Sequence, residues 1–126
     1  MNNKFCKEER LCNKVLIESL FNQKKGIKFT EFPFMVVAKE VEKGNKFPAQ
    51  VMFSVSKRRI RLAVNRNLIK RRSKEAYRLN REPFYNALNQ QKKQLILCFI
   101  YLDNKPVSYQ LIEEKIIVLL SRLSKE

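Results

Sequence analysis

The chain has 126 residues, with 27 Lys and Arg against 12 Asp and Glu and no His, so its formal net charge is +15. This length suits one domain, 1–126, and a hydrophobic content of 44% is enough to bury a core. The absence of His excludes Ser-His-Asp and Cys-His catalysis, and three Cys without CxxC spacing predict neither a metal site nor a disulfide scaffold.

Apolar residues in the first part of the chain predict a helix followed by a strand. The helix is expected over about 8–22, because its apolar residues recur at three- to five-residue intervals, and Lys24-Lys25-Gly26 then breaks it. Phe29–Lys39 is rich in aromatic and β-branched residues and is predicted to be one strand, in which Pro33 marks an edge or a bulge. Lys43-Gly44-Asn45 is the expected turn after this strand.

The rest of the chain predicts a second strand, a third strand and three helices. Gln50–Ser56 alternates strictly between two faces, and a long helix is expected over Ala63–Asn80. A short helix follows Pro83 through Asn89, and the apolar run Gln94–Leu102 predicts a strand covered on both faces. Ser108 is expected to cap a final helix. This order indicates an α+β fold, a two-layer α–β sandwich with a mixed central sheet and helices packed on it.

Most of the positive charge lies in one segment, Lys57–Arg81. Its eleven basic residues face one acid, Glu75, so this segment carries +10 of the +15. At about 100° per residue, one face of the long helix carries Tyr77 and six cations within an arc of about 140°: Arg66, Lys70, Arg71, Lys74, Arg78 and Arg81. The opposite side carries Leu68, Ile69, Ala76 and Leu79, with Arg72 as the one cation among them. A helix face that is merely exposed to solvent would carry both positive and negative charges. The excess of positive charge therefore favours a nucleic-acid-binding surface.

Aromatic side chains accompany this charge. Phe21 lies on the first helix, Phe32 and Phe34 share one alternation of the first strand, and Met52 lies on the non-core face of the second strand. A sheet face flanked by aromatic rings and cations is typical of single-stranded nucleic-acid binding. The residues alone therefore predict an RNA- or DNA-binding domain without catalytic side chains.

Several motifs resemble a known family. Ser54-Val55-Ser56-Lys57, Ala63-Val64, Arg66-Asn67 and Ile69-Lys70-Arg71 resemble the signature block of the bacterial ribonuclease P protein component. Lys7–Leu11 and Ser108-Tyr109 fit the same family, so the resemblance covers nearly the whole chain. It implies a ribosomal-protein-like fold with a left-handed βαβ crossover, whereas general handedness rules alone would predict a right-handed one.

The resemblance also implies a function. The family member is the protein subunit of ribonuclease P, which binds the catalytic RNA and the single-stranded 5′ leader of precursor tRNA. It assists RNA-catalysed, Mg²⁺-dependent removal of that leader, so Mg²⁺ serves the RNA and the chain alone is not expected to be catalytic. We expect a cytoplasmic protein, monomeric apart from the RNA and not bound to membranes, since there is no signal-peptide pattern and no apolar run approaches about 20 residues.

Two sets of site residues follow. The RNA-binding set comprises Lys57, Arg58, Arg59, Arg61, Arg66, Asn67, Lys70, Arg71, Lys74 and Arg78. The set expected to line a leader-binding cleft comprises Ile17, Phe21, Phe34, Val36, Met52, Ser54 and Ser56. Leu68 occupies the third position of the family's Arg-Asn-Arg motif, so we expect somewhat weaker RNA docking, with Arg72 as the candidate replacement for the lost cation.

Two other functions compete with this interpretation. A ribosome-associated RNA-binding module of similar fold would share the basic helix but would have no role in tRNA processing. A DNA-binding regulator is disfavoured, because no helix and short turn of the helix-turn-helix type precede the basic helix. Only the ribonuclease P subunit is expected to bind precursor tRNA plus catalytic RNA better than mature tRNA plus the same RNA.

Overall fold

The computed structural model describes residues 5, 7–22, 26–42, 44 and 46–125. A short 3-10 helix, Lys7–Glu9, is followed by α1 Lys14–Asn22, β1 Ile27–Glu31, β2 Phe34–Val41, β3 Ala49–Ser54, α2 Ala63–Asn80, α3 Glu82–Gln90, β4 Gln94–Tyr101 and α4 Tyr109–Ser124. Cys6, the helix-ending residues Lys24 and Lys25, and the turn residues Lys43 and Asn45 lie outside the described residues. Within the described part of the chain, no helix combines the length and apolar character that crossing a membrane requires.

The four strands form one mixed sheet in the order β1-β2-β4-β3. β2 pairs antiparallel with both β1 and β4, whereas β3 and β4 are parallel neighbours. A parallel pair needs a crossover connection, which α2 and α3 provide. The predicted α+β fold with a mixed sheet is thus confirmed, and the hand of the crossover stays an expectation from the family resemblance.

Helices cover both faces of the sheet, but unequally. On one face, α2, α3 and α4 enclose the main core, in which the rings of Phe53 and Phe99 stack with centroids 5.4 Å apart. On the other face, α1 packs on Ile96 and Cys98 of β4 and forms a smaller core. β4 is therefore buried on both faces, as its apolar run predicts.

The first helix starts later than predicted. Asn13 caps it, because its side-chain oxygen accepts hydrogen bonds from the backbone N–H groups of Val15 at 2.9 Å and Leu16 at 3.3 Å. The preceding residues instead lie along the edge of the sheet, where the Leu11 N–H donates to the carbonyl of Val51 at 2.9 Å. Helix α1 is consequently short, and the N-terminal segment 7–11 covers the outer edge of β3.

The prediction of a single strand over Phe29–Lys39 is wrong. The chain turns at Phe32-Pro33, and β1 and β2 form a hairpin in which Glu31 lies opposite Phe34. Proline lacks the backbone N–H that a central strand needs, so the turn is a favourable place for it. The hairpin, and not the alternation before Pro33, decides which face each β2 side chain takes.

Helix α2 spans the predicted residues, but its buried face differs from the prediction. Ile69 and Ala76 are buried as expected, whereas Leu79 is 55% exposed and Tyr77 is fully buried. Arg81, which the periodicity places among the exposed cations, is also buried. The buried face of α2 is thus rotated toward Tyr77 and Arg81, away from Leu79.

A buried polar cluster explains this rotation. The Arg81 guanidinium lies 3.0 Å from both carboxylate oxygens of Glu9, and the Tyr85 hydroxyl donates to Glu9 at 2.6 Å. The Tyr77 and Tyr85 hydroxyl oxygens are 3.0 Å apart, and burial raises the pKa of both tyrosines. Because Glu9 and Arg81 balance each other's charge, this cluster can be buried and can fix the N-terminal segment to α2 and α3.

Candidate nucleic-acid interface

An open cleft lies between α1 and the sheet. In the strand register, Val37 of β2, Cys98 of β4 and Met52 of β3 form one row beneath α1. The next row, Met35, Ile100 and Ser54, extends toward the end of the sheet. Part of this surface forms a groove of about 340 Å³, lined by Leu20, Phe21, Gly26, Ile27, Lys28, Met35, Val37 and Ile100. We call the whole surface the α1 cleft.

The α1 cleft contains some of the predicted cleft residues. Ile17 is half-buried against the small core and Phe21 is 50% exposed at the groove, so both lie on the cleft side of α1. Met52 and Ser54 lie on the cleft side of β3. Ser56 lies beyond the end of β3, where its hydroxyl accepts a hydrogen bond from the Arg59 N–H at 3.2 Å. This hydrogen bond stabilises the turn over 57–59.

The assignment of Phe34 and Val36 to the cleft is wrong. Their exposed fractions are 1% and 0%, and they belong to the main core on the opposite face of the sheet. Because side chains alternate along a strand, Met35 and Val37 face the cleft instead. Both alternations of β2 contain apolar residues, so the sequence pattern alone could not choose between them. Recognising the turn at Pro33 would have provided the missing register.

The loop after β3 presents four cations on a well-anchored backbone. Lys57, Arg58, Arg59 and Arg61 are all exposed, and this stretch, 57–61, is called the basic loop. The Arg59 guanidinium donates to the Leu102 carbonyl at 2.7 Å, and that of Arg66 donates to the carbonyls of Ile60 and Arg61 at 2.9 and 2.8 Å. Arg66 therefore braces the backbone of the basic loop, from which these cations extend.

The outer face of α2 continues this positive surface. Asn67, Arg71 and Lys74 are exposed, and Lys70 is half-buried. Arg78 forms an ion pair with Glu75 within one turn of the helix. Among the described residues, no carboxylate lies within ion-pair distance of Lys70, Arg71 or Lys74. Because these three cations have no carboxylate partner among the described residues, they are available to bind the phosphates of a nucleic acid.

Arg72, the candidate replacement for the cation missing at Leu68, contacts the fold itself. Its guanidinium donates to the Val107 carbonyl at 2.8 Å, so it joins α2 to the connection between β4 and α4. RNA contact by Arg72 stays a prediction, and it would have to be made by the part of the guanidinium that Val107 does not engage. Leu68 itself is half-buried on α2.

Replacing Leu68 by Arg is expected to strengthen binding to the catalytic RNA, because it adds a cation beside the positive face of α2. The slope of log affinity against log salt concentration should become steeper by about one. Filter binding over a range of salt concentrations measures both quantities. Leu68→Gln is the control, since it removes the same apolar side chain without adding charge, and equal affinities of the two variants would contradict the prediction.

Two buried side chains, Cys98 and Tyr101, have raised pKa values. Burial raises the pKa of the Cys98 thiol to about 12, so it stays protonated and is a poor nucleophile at neutral pH. Burial also raises the pKa of Tyr101 to about 12. In the ranges that the structure describes, no group of three or more Cys, Asp and Glu side chains could hold a metal ion. Among the described side chains, the exposed cations of the basic loop can attract phosphates, and the half-exposed ring of Phe21 can stack on a base.

Comparison with known proteins identifies the family. The family model described as Ribonuclease P matches residues 5–124. The chain belongs to the ribonuclease P protein family. A ribonuclease P protein component from Porphyromonas gingivalis is 29% identical over 107 residues, which cover 85% of this chain and 77% of that protein. The component from Chlorobaculum tepidum is 37% identical over 68 residues, covering 51% of this chain and 44% of that protein.

Solved structures of ribonuclease P proteins share the fold. The RNase P protein of Staphylococcus aureus superposes with a TM-score of 0.71 at 19% identity, covering 91% of this chain and 94% of that chain. The protein from Thermotoga maritima gives a TM-score of 0.68 at 21% identity, with coverages of 90% and 96%. The resemblance in the signature block is thus confirmed as family membership, and the sandwich architecture is common to these proteins.

Proposed function

We propose that this chain is the protein subunit of a ribonuclease P holoenzyme that removes the 5′ leader of precursor tRNA. In this proposal the basic loop and the outer face of α2 bind the catalytic RNA, and the α1 cleft holds the single-stranded leader. The Mg²⁺ ions that the reaction requires belong to the RNA subunit, which supplies the chemistry of phosphodiester hydrolysis. The protein contributes binding and positioning.

The observation that supports this proposal most is the continuity of the cleft and the positive surface along β3. Met52 and Ser54 lie in the cleft, the strand ends at Ser54, and Lys57 follows three residues later in the basic loop. A single strand of RNA lying in the cleft would therefore meet cations as soon as it leaves the sheet. Aromatic and apolar surface for bases, followed by cations for phosphates, is the arrangement that single-stranded RNA needs.

Cleavage of precursor tRNA at low Mg²⁺ by the cognate catalytic RNA, with and without this protein, tests the proposal directly. We expect marked stimulation by the protein and no cleavage by the protein alone. Mature tRNA is the matched comparison, since the protein should raise the affinity of the catalytic RNA for precursor tRNA and leave that for mature tRNA nearly unchanged. Tight RNA binding without stimulation would contradict the proposal and favour a ribosome-associated RNA-binding module.

Replacing Phe21 by Ala is expected to weaken leader binding by about 1–3 kcal/mol, the typical contribution of one base stacked on an aromatic ring. Thermal stability should change little, because the ring is half exposed. The affinity of the holoenzyme for precursor tRNAs with and without a leader measures the first effect, and thermal melting measures the second.

Val15→Ala is the control for this variant, because Val15 is an exposed residue of the same helix. It should leave leader affinity unchanged. A large loss of melting temperature in Phe21→Ala, without a loss of leader affinity, would instead assign the ring to packing.

A further inference from the structure

A second groove lies on the other side of the molecule from the α1 cleft. It runs between Phe5 and the outer face of α2 and has a volume of about 450 Å³. Its lining residues are Phe5, Asn67, Lys70, Arg71, Lys74, Glu75 and Arg78. We call it the Phe5 groove. Because α2 and α1 pack on opposite faces of the sheet, a ligand in the Phe5 groove and one in the α1 cleft would not overlap.

The aromatic wall of this groove is held in place by the N-terminal segment. The ring of Phe5 makes an edge contact with the buried ring of Tyr77, with centroids 6.0 Å apart and planes at 82°. Four residues further along, Glu9 is fixed by its buried contacts with Arg81 and Tyr85. Phe5 is only partly buried, so part of its surface stays available to a ligand. The Phe5 ring therefore packs on Tyr77 and still presents a surface to the groove.

The opposite wall carries a strong positive charge. Four of the lining residues are cations and one is an acid, Glu75, which is already paired with Arg78. Lys70, Arg71 and Lys74 have no carboxylate at ion-pair distance within the described ranges. A ligand that contacts both walls must carry negative charge on the side of α2 and a flat apolar surface on the side of Phe5. A nucleotide has both, whereas an acidic peptide supplies the charge without the flat face.

We propose that the Phe5 groove binds an unpaired nucleotide of RNA, with its base against the Phe5 ring and its flanking phosphates on Lys70, Arg71 and Lys74. This inference rests on the proposed function, since it takes the partner of α2 to be RNA. It adds a base-binding element to a surface whose cations alone would recognise only the phosphate backbone. Phe5 is then a residue that favours bulged or single-stranded RNA over a regular helix at this position.

The test compares two labelled five-nucleotide RNAs of equal charge, pentaadenylate and a pentamer with abasic riboses. All proteins carry Phe21→Ala, which removes stacking in the α1 cleft. We expect pentaadenylate to bind roughly 5- to 150-fold more tightly than the abasic pentamer, the range for one stacked base. Phe5→Leu should abolish this preference, whereas Phe5→Tyr, which keeps the ring, should retain it.

Lys74→Gln tests the contribution of the cationic wall of the groove separately from that of Phe5. It should lower the salt dependence of binding by about one unit of slope and leave the preference for bases intact. An unchanged preference in Phe5→Leu would overturn the inference, as would displacement of pentaadenylate by a doubly phosphorylated peptide at equal affinity. Failure of the proposed function would appear separately, as the absence of any stimulation of precursor-tRNA cleavage by the wild-type protein.

A second measurement needs no substitution that could disturb folding. Wild-type protein is irradiated with a pentamer containing 5-iodouridine, which crosslinks preferentially to aromatic side chains, and the crosslinked peptides are identified by mass spectrometry. Crosslinks at Phe5 in addition to Phe21 support the inference. Crosslinks at Phe21 without any at Phe5 overturn it.

Discussion

Replacing Glu9 by Gln is expected to lower the free energy of unfolding by about 3–5 kcal/mol, the usual cost of removing one partner from a buried ion pair. Glu9 is fully buried, and its carboxylate balances the buried guanidinium of Arg81 at 3.0 Å. Gln keeps the shape of the side chain but leaves the charge of Arg81 without compensation. Urea denaturation followed by circular dichroism measures the loss.

Two further variants decide whether the buried charge is the cause. Glu114→Gln removes an exposed carboxylate and should change stability by less than about 0.5 kcal/mol. Glu9→Leu combined with Arg81→Met removes both charges and should recover most of the stability that Glu9→Gln loses, since apolar replacements of a buried pair are often neutral. If the double variant is as unstable as Glu9→Gln, the contribution of Glu9 comes from its shape and hydrogen bonds.

Replacing Lys70, Arg71 and Lys74 together by Gln is expected to reduce the salt dependence of binding to the catalytic RNA by about three units of slope. Each cation that contacts a phosphate releases about one counterion on binding, so each lost contact removes about one unit. These three side chains form the part of α2 that lacks carboxylate partners among the described residues. Gln retains good helix propensity, so α2 itself should persist.

The control for this variant removes the same charge elsewhere. Lys14, Lys115 and Lys125 lie on other elements or at the end of α4, and their replacement by Gln lowers the net charge equally. If general attraction by the net charge dominates, both triple variants will lose the same slope, and the assignment of α2 as the RNA-binding face will be wrong. A loss confined to the α2 variant supports that assignment.

Sequence reasoning succeeded where a local pattern decides the structure. The bounds of α2, the cap at Ser108 and the double-sided burial of β4 each depend on residues within one segment. The Ser108 hydroxyl, for example, accepts a hydrogen bond from the Leu111 N–H at 3.2 Å, as its place before an apolar helix predicts. The signature block also identified the family, because its motifs are contiguous in sequence.

Sequence reasoning failed where contacts between residues far apart in the sequence determine the structure. Phe34 and Val36 were assigned to the wrong face because the register of β2 depends on its pairing with β1 and β4. Arg81 was assigned to the exposed cations because nothing near it in sequence reveals Glu9, its partner from the other end of the chain. Phe5 was not assigned to any site for the same reason, since α2 gives the Phe5 groove its second wall only in the folded chain.

The contacts of Glu9 also place a constraint on synthesis of the protein. Its hydrogen bonds with Arg81 and Tyr85 join residues 72 and 76 positions apart. At about 5–20 residues per second, the ribosome needs roughly 4–15 s after adding Glu9 to reach Arg81 and Tyr85. Until Arg81 and Tyr85 have been made, the buried cluster that fixes the N-terminal segment to α2 and α3 cannot form. The attachment of the N-terminal segment, and with it the aromatic wall of the Phe5 groove, therefore forms only after α2 and the first residues of α3 have been made.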